Sequence, residues 1–255
     1  MNAETRASLK NLLLKTPDKA IVCSPFLIAN GFSHDQLKHY VKSGYLDSAG
    51  RGAYCKHGHM PPLAAAINAS VTQLETPLLL GGWSALAHHG LLHFLPLTDH
   101  KAILYTHPNT RIPAWMKHAY QDQFVCKRTN ILPKQLAIEK ELSNGFTIPI
   151  STPERAILEY LHSVPDEHPL NEAYQIMEMM LNARPNLLQA LLENCNSIKV
   201  KRLFFLLAED LKPAWYEDLS PNRINFGSGN RVIDEGGRFH SKWLLTVKDW
   251  RTSST

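Results

Sequence analysis

Gln36, Lys38, His39 and Lys42 fall within one short stretch and share a polar face with Asp35. The chemistry such a set offers is hydrogen bonding and charge pairing, not bond breaking. Lysine pairs with phosphate or guanine, glutamine with adenine and histidine with either, so the set suits the groove and backbone of a DNA duplex. Arg51 and Lys56 follow and add cations able to reach a phosphate or a minor groove. Asp35 could accept a bond from cytosine, and near a helix start it also stabilises the positive end of the helix dipole.

These side chains need a scaffold, and the stretch SPFLIANGFSHDQLKHYVKSGYLDSAGRGAYCK (Ser24 to Lys56) reads as a helix–turn–helix followed by a two-stranded wing. Ser24 can cap a first helix, with Pro25 at the first helical position, where a missing N–H costs nothing. Gly31 ends it. Ser33 opens a second helix, Gln36 completes a capping box, and Phe32 and Leu37 stand at hydrophobic-staple spacing. Leu37, Tyr40 and Val41 recur at i, i+3, i+4 and face inward, leaving the cations outside. After Gly44, Tyr45-Leu46 and Ala53-Tyr54-Cys55 flank a polar turn rich in glycine and serine, the composition of a tight hairpin with Arg51 at its tip.

Charge sharpens this reading. The chain of 255 residues carries 27 Lys/Arg and 23 Asp/Glu. Residues 1–60 hold eight of the basic residues and four of the acidic ones, so the whole surplus of +4 sits there, and the remaining 19 and 19 cancel. The electropositive segment is the one shaped like a duplex reader, which is the footprint phosphate binding needs.

Composition bounds the rest. With 44% hydrophobic and 20% charged residues, the chain is ordinary for a globular protein. No apolar run is long enough to span a bilayer, and MNAETRASLK is not a signal peptide. Cys23, Cys55, Cys126 and Cys195 are scattered without a CxxC pair, which fits a reduced, cytoplasmic setting. Cys55, His57 and His59 alternate, and His89 and His93 are four apart, as zinc ligands can be. The first group lies in a linker and the second straddles Gly90, so neither a metal nor another cofactor is expected. Glu154 and Glu159 in STPERAILEY could form a catalytic carboxylate pair. The plainer account makes Glu154 a helix-start charge and Arg155 a bridge to Glu159. Nucleophile motifs of the GxSxG type are absent, Gly227-Ser228-Gly229 lacks the lysine and helix of a phosphate loop, and no catalytic residue is assigned.

Along the chain, residues 3–15 read as a helix and Ile21-Val22 as a short strand pairing with the wing. KHGHMPP marks a boundary. A helix over 63–74 follows, then a strand near 77–82, a helix over 83–90, a strand over 102–105, an irregular loop TRIPAW (110–115) and strands at 124–126 and 146–150. Helices follow from Pro153, over 170–195 with a break near Arg184-Pro185, and over 200–208. The tail alternates like strands at 224–226, 231–233 and 243–247. The expected fold is mixed α/β: a winged helix-turn-helix over residues 1–60 and a larger C-terminal α/β or α+β domain over 61–255. Lys199, Lys201, Arg202 and Arg231 are candidates for a second, partner-binding surface; a solvated edge is the plainer alternative.

The order of segments resembles the AbiEi family of antitoxins, from type IV toxin–antitoxin (abortive-infection) systems. The carrying pieces are GYLDSAGRGAYCK, GGWSALAHHGL, TRIPAW, STPERAILEYL, IKVKRLFFLLAE and FGSGNRVIDEGGRFHSKWLLTV, which span nearly the whole chain in order. Asn230 in GSGNR departs from the lysine the pattern leads one to expect. The resemblance implies a repressor that binds inverted repeats in its own promoter. It also implies an antitoxin domain opposing a nucleotidyltransferase-like toxin, without the need for a stable complex with it. A winged helix reading inverted repeats binds as two copies, so a monomer or weak dimer that pairs on DNA is expected. A winged-helix regulator with a ligand- or protein-sensing domain and no toxin partner is the alternative. A nuclease guided by a winged helix is a third, without a clustered metal-binding set to support it.

Overall fold

A computed structural model of the chain describes residues 10–14, 16–58, 60–92 and 100–251. Two compact units emerge. Unit 1 comprises residues 1–79, 109–126 and 140–149; unit 2 comprises 80–108, 127–139 and 150–255.

In unit 1, residues 10–14 are helical. Strand β1 (Val22–Cys23) leads into α1 (Ser24–Ala29), then α2 (His34–Lys42), β2 (Leu46–Gly50) and β3 (Ala53–Lys56). The sheet order is β1-β3-β2, with Val22 opposite Tyr54 and Asp47 opposite Cys55. The expected short strand against the wing is therefore present. Cys23, not Ser24, occupies the cap position of α1; Ser24 is helical and donates its backbone N–H to Gly52 O at 2.8 Å. Gly31 takes φ +88°, the left-handed conformation that stops α1. The capping box of α2 is complete: Ser33 Oγ accepts from the Gln36 N–H, and the Ser33 N–H donates to Gln36 Oε1. Leu37, Tyr40, Leu27, Val22, Leu46 and Leu12 form one buried core. Each such leucine contributes roughly 2 kcal/mol from the water its surface leaves behind.

Helix α3 (Leu63–Leu74) buries an alanine face, and Gln73 clamps β1 from both sides, accepting from Cys23 N at 2.7 Å and donating to Ile21 O at 2.8 Å. Later in the chain α5 (Ala114–Ala119) also belongs to unit 1, so the loop expected at TRIPAW turns helical at its last two residues. Trp115 and Met116 pin α5 down; they are 4% and 0% exposed.

Five strands, β4 (Leu79–Leu80), β5 (Ala102–Thr106), β6 (Phe124–Arg128), β7 (Ile138–Ser143) and β8 (Phe146–Ser151), form a sheet in the order β6-β5-β4-β8-β7. β4 and β8 run parallel, Leu80 beside Ile150. β7 lies between the expected strands at 124–126 and 146–150, where the sequence reading places none. Its sequence IEKELS is mostly polar because it is an edge strand, joined to β8 through Asn144-Gly145 at φ +48° and +82°, the pair a tight hairpin favours.

Unit 2 carries α4 (Gly82–His88), α6 (Pro153–His162), α7 (Leu170–Met179), α8 (Pro185–Glu193) and α9 (Ile198–Leu211). Every residue of α9 from Val200 to Ala208 is buried, as an almost continuous apolar run requires. Phe205 stacks on Trp243 at 5.3 Å and Phe204 on Trp215 at 5.8 Å. A second small sheet, order β10-β11-β9, closes the tail from Arg231–Val232 (β9), Arg238–His240 (β10) and Leu245–Val247 (β11). The strand expected at 224–226 is absent. Ile224 follows a 3-10 turn (Pro221–Arg223), and the ladder runs through β10 instead.

Candidate nucleic-acid interface

The outward face of α2 is presented as its periodicity requires. Lys38, His39 and Lys42 are exposed while Leu37 and Tyr40 are fully buried beneath them. Lys38 Nζ lies 3.3 Å from Asp35 Oδ1, one turn away. Both side chains are more than three-quarters exposed, so this pair contributes well under 1 kcal/mol and leaves the lysine available. His39 Nε2 is 3.5 Å from Ser43 Oγ. Lys42 and Arg51 are exposed and make no ion pair among the described residues.

Two of the expected contacts are altered by local bonds. Gln36 Oε1 is engaged by the Ser33 N–H at 2.7 Å, and a bidentate pairing with adenine needs that same oxygen together with the amide nitrogen. Gln36 therefore keeps its amide donor free of this bond but offers no donor–acceptor pair. Lys56 is 20% exposed and its Nζ lies 2.8 Å from Asp18 Oδ1, which ties it to the body of unit 1 and draws it away from the wing tip.

The wing is braced from two directions. At its base, Asp47 takes His57 Nδ1 at 2.9 Å and the Gly58 N–H at 2.9 Å. The His57 hydrogen bond, with the Gly58 N–H behind it, holds the Asp47 carboxyl below the usual carboxylate range. Near the tip, Gly50 has φ +126°, and a Cβ added there would stand 2.8 Å from Trp115 Cβ. The wing's turn is thus seated on α5, a support that the loop reading of TRIPAW did not foresee. Pro113 in the cap position followed by Ala114-Trp115-Met116 was the signal.

The electrostatics of the two units differ. Unit 1 holds eleven Lys/Arg and seven Asp/Glu, a surplus of four; unit 2 holds sixteen of each. The whole net charge thus lies on the unit that contains the winged helix.

Of the four cations expected at a second surface, three are turned inward. Arg202, 1% exposed, donates to Phe226 O at 2.9 Å, Gly229 O at 2.7 Å, Gly227 O at 3.3 Å and Leu244 O at 3.2 Å. Lys201, 4% exposed, donates to Asn225 O, and Lys199 to His162 O and Val164 O. These donors hold the tail and the α6–α7 connection because buried carbonyls need partners. Arg231 is the exposed one.

The STPERAILEY carboxylates are engaged too. Glu159 accepts from Arg155 Nε at 2.7 Å, Ser151 Oγ at 2.8 Å and the Gly82 N–H at 2.9 Å. Glu154 takes three donors of Arg184. The Arg155–Glu159 pair is buried, whereas the buried Glu154 meets a half-exposed Arg184; both pairs fix α6. Of the histidines weighed as metal ligands, His57 pairs with Asp47 and His89 Nε2 meets Ser151 O at 2.9 Å, while His59 and His93 lie outside the described residues. Among the described residues no group of three or more His, Cys, Asp or Glu gathers as a metal site, and no helix is long and apolar enough to cross a membrane.

Comparison with known proteins places this arrangement. No curated protein matches the chain. A crystal structure of the RV2827C protein from Mycobacterium tuberculosis shares the fold with a TM-score of 0.59 at 14% identity, over 96% of this chain and 92% of that one. Residues 5–97 match the family described as transcriptional regulator, AbiEi antitoxin N-terminal domain, and residues 99–248 match transcriptional regulator, AbiEi antitoxin, type IV TA system. Matched over nearly its whole length, the chain belongs to the AbiEi family of antitoxins and transcriptional regulators of type IV toxin–antitoxin systems.

Proposed function

We propose that this chain represses its own operon through its winged helix and opposes a nucleotidyltransferase-like toxin through its larger C-terminal domain, without catalysis of its own. In this reading α2 enters a major groove, Lys38 and His39 reach base edges, and Lys42 and Arg51 grip phosphates on either side. Two copies occupy an inverted repeat and pair on the DNA. Residues 1–60 serve as the reader and 61–255 as the antitoxin part. The observation that carries the reading is the concentration of the net charge on the unit holding Lys42 and Arg51, both exposed and without an ion pair among the described residues.

The test is a mobility shift with the duplex upstream of its own gene, run at several salt concentrations. Loss of Lys42 and Arg51 as the pair Lys42→Ala/Arg51→Ala is expected to weaken binding and lower the salt slope by about 2. An unchanged affinity and slope would remove the DNA role. For the antitoxin part, co-expression with a neighbouring nucleotidyltransferase-like gene should restore growth; failure to rescue removes it.

A second reading, a regulator that answers a small molecule and has no toxin partner, draws support from one feature. A cavity of about 490 Å³ opens beside α1, lined by Phe26, Leu27 and Asn30, with Asn68 and Gln73 from α3. Its lining is uncharged, which suits a neutral ligand. Growth rescue separates the two readings.

A further inference from the structure

We propose that α5 and the loop before it form a second phosphate-gripping element, laid against the DNA backbone next to the wing; the proposal rests on the DNA-binding reading above. Neither the wing motif nor the N-terminal family match reaches these residues, which lie in the segment matched at 99–248. In space they belong to unit 1.

α5 packs on β2, the strand whose end carries the wing tip. Its inner side is fixed. Trp115 backs Gly50, Ser70 Oγ donates to Met116 Sδ at 3.4 Å, and Tyr120 OH donates to Pro61 O at 2.9 Å. Its outer side is cationic. Arg111, Lys117 and His118 are exposed, and neither Arg111 nor Lys117 makes an ion pair among the described residues. Between Asn109 and Cys126 the sequence holds one carboxylate, Asp122.

Reach is the deciding quantity. A Cβ on Gly50 would stand 3.1 Å from Trp115 Cα, so the two backbones lie close; Arg51 is the next residue on one side, and Lys117 is two helical positions along on the other. From Cα spacing and helical rise, the Arg51 and Lys117 Cα atoms lie within about 14 Å of each other. Phosphates on one strand advance about 3.4 Å along the axis per step, so two long, flexible cations rooted within that distance can reach phosphates a few steps apart on one backbone. A cation pair within that reach, on a rigid support and without an acidic partner among the described residues, is complementary to a duplex strand. α5 therefore adds sequence-independent grip and sets how the wing meets the duplex.

The experiment uses the full chain and two probes, the duplex upstream of its own gene and an unrelated duplex of equal length. The slope of log affinity against log salt is measured for the unaltered protein, for Arg111→Ala/Lys117→Ala, for Lys117→Glu, and for Lys42→Ala/Arg51→Ala. The α5 double variant should lower the slope by about 2 on both probes and leave the preference between them unchanged. Lys117→Glu should weaken binding further, with the thermal unfolding midpoint unmoved because the site is exposed. If the Lys42/Arg51 variant weakens binding while both α5 variants leave the slope untouched, α5 is a solvated face; the inference fails and the DNA reading stands. If neither group of variants moves the slope, both fail.

Discussion

Ser33 and Gln36 exchange two hydrogen bonds: the Gln36 N–H donates to Ser33 Oγ at 3.2 Å, and the Ser33 N–H donates to Gln36 Oε1 at 2.7 Å. The reciprocal pair fixes the start of α2, and with it the angle at which Lys38 and Lys42 leave the surface. Removal of the hydroxyl in Ser33→Ala should cost about 1 kcal/mol in urea unfolding. Gln36→Glu keeps the acceptor and should stay within a few tenths of a kcal/mol, whereas Gln36→Ala should lose roughly as much as Ser33→Ala. Equal stability of Gln36→Ala and the unaltered protein would show that the box does not hold the helix.

Glu154 gives a pH dependence whose sign is fixed. Burial alone would raise its carboxyl, but the Arg184 guanidinium and backbone N–H overcome this and hold it at about 2, below its ordinary value of 4.5. A carboxyl lowered in the folded state stabilises fully above the unfolded value and loses that contribution as pH falls through the folded one. Arg184 is 56% exposed, so solvent screens part of the pair and the contribution at neutral pH is about 2 kcal/mol. Urea midpoints of the unaltered protein and Glu154→Gln should therefore differ at pH 7 and converge between pH 4.5 and 2. A gap that stays constant across that window would contradict the assignment.

The winged helix was legible because its signals are local. A capping box, a helix-stopping Gly31 and an alternation of Leu37, Tyr40 and Val41 with lysines all lie within a few residues of what they specify. The start of α6 at Pro153, a proline in the first helical turn, and the bridge from Arg155 to Glu159 were readable for the same reason. What escaped is long-range. Lys201 and Arg202 look like an exposed basic edge until the carbonyls of residues 225–229 and 244, more than twenty positions later, come to meet them. Membership of residues 109–126 and 140–149 in unit 1 leaves no trace in periodicity. β7 was a different failure: its Asn144-Gly145 turn was a local signal outweighed by a polar strand sequence.

The Arg155–Glu159 pair should behave as a buried pair does. Both side chains are almost entirely buried, at 7% and 1% exposure. Arg155 also donates to Pro133 O and Leu136 O, so it anchors the stretch before β7 to α6. Glu159→Ala leaves that guanidinium buried without a counter-charge and should lower stability by about 3–5 kcal/mol. Arg155→Met with Glu159→Leu should recover much of this loss, because no unpaired charge remains. A double variant as unstable as Glu159→Ala would mean that the carbonyl anchors, not the charges, dominate. Thermal unfolding of the two variants beside the unaltered protein decides it.

Two neighbouring glycines in the wing separate backbone strain from contact. Gly52 has φ +84°, and a Cβ there would meet nothing nearer than Ser24 Oγ at 3.9 Å. Gly52→Ala should therefore carry only the cost of a left-handed side-chain-bearing residue, about 1 kcal/mol. Gly50 combines φ +126° with Trp115 Cβ and Cα at 2.8 and 3.1 Å, and both opposing atoms sit on the helix itself, not at the end of a flexible chain. Gly50→Ala must push α5 away from β2 or distort the turn, and should cost at least about 2 kcal/mol. Arg51 follows Gly50 directly, so the same change should weaken DNA affinity, while Gly52→Ala should leave it nearly intact. Urea midpoints and mobility shifts of the two variants, side by side, test this. Equal losses of stability and affinity in both would mean that Trp115 does not support the wing and that strain in the turn alone accounts for the need for glycine.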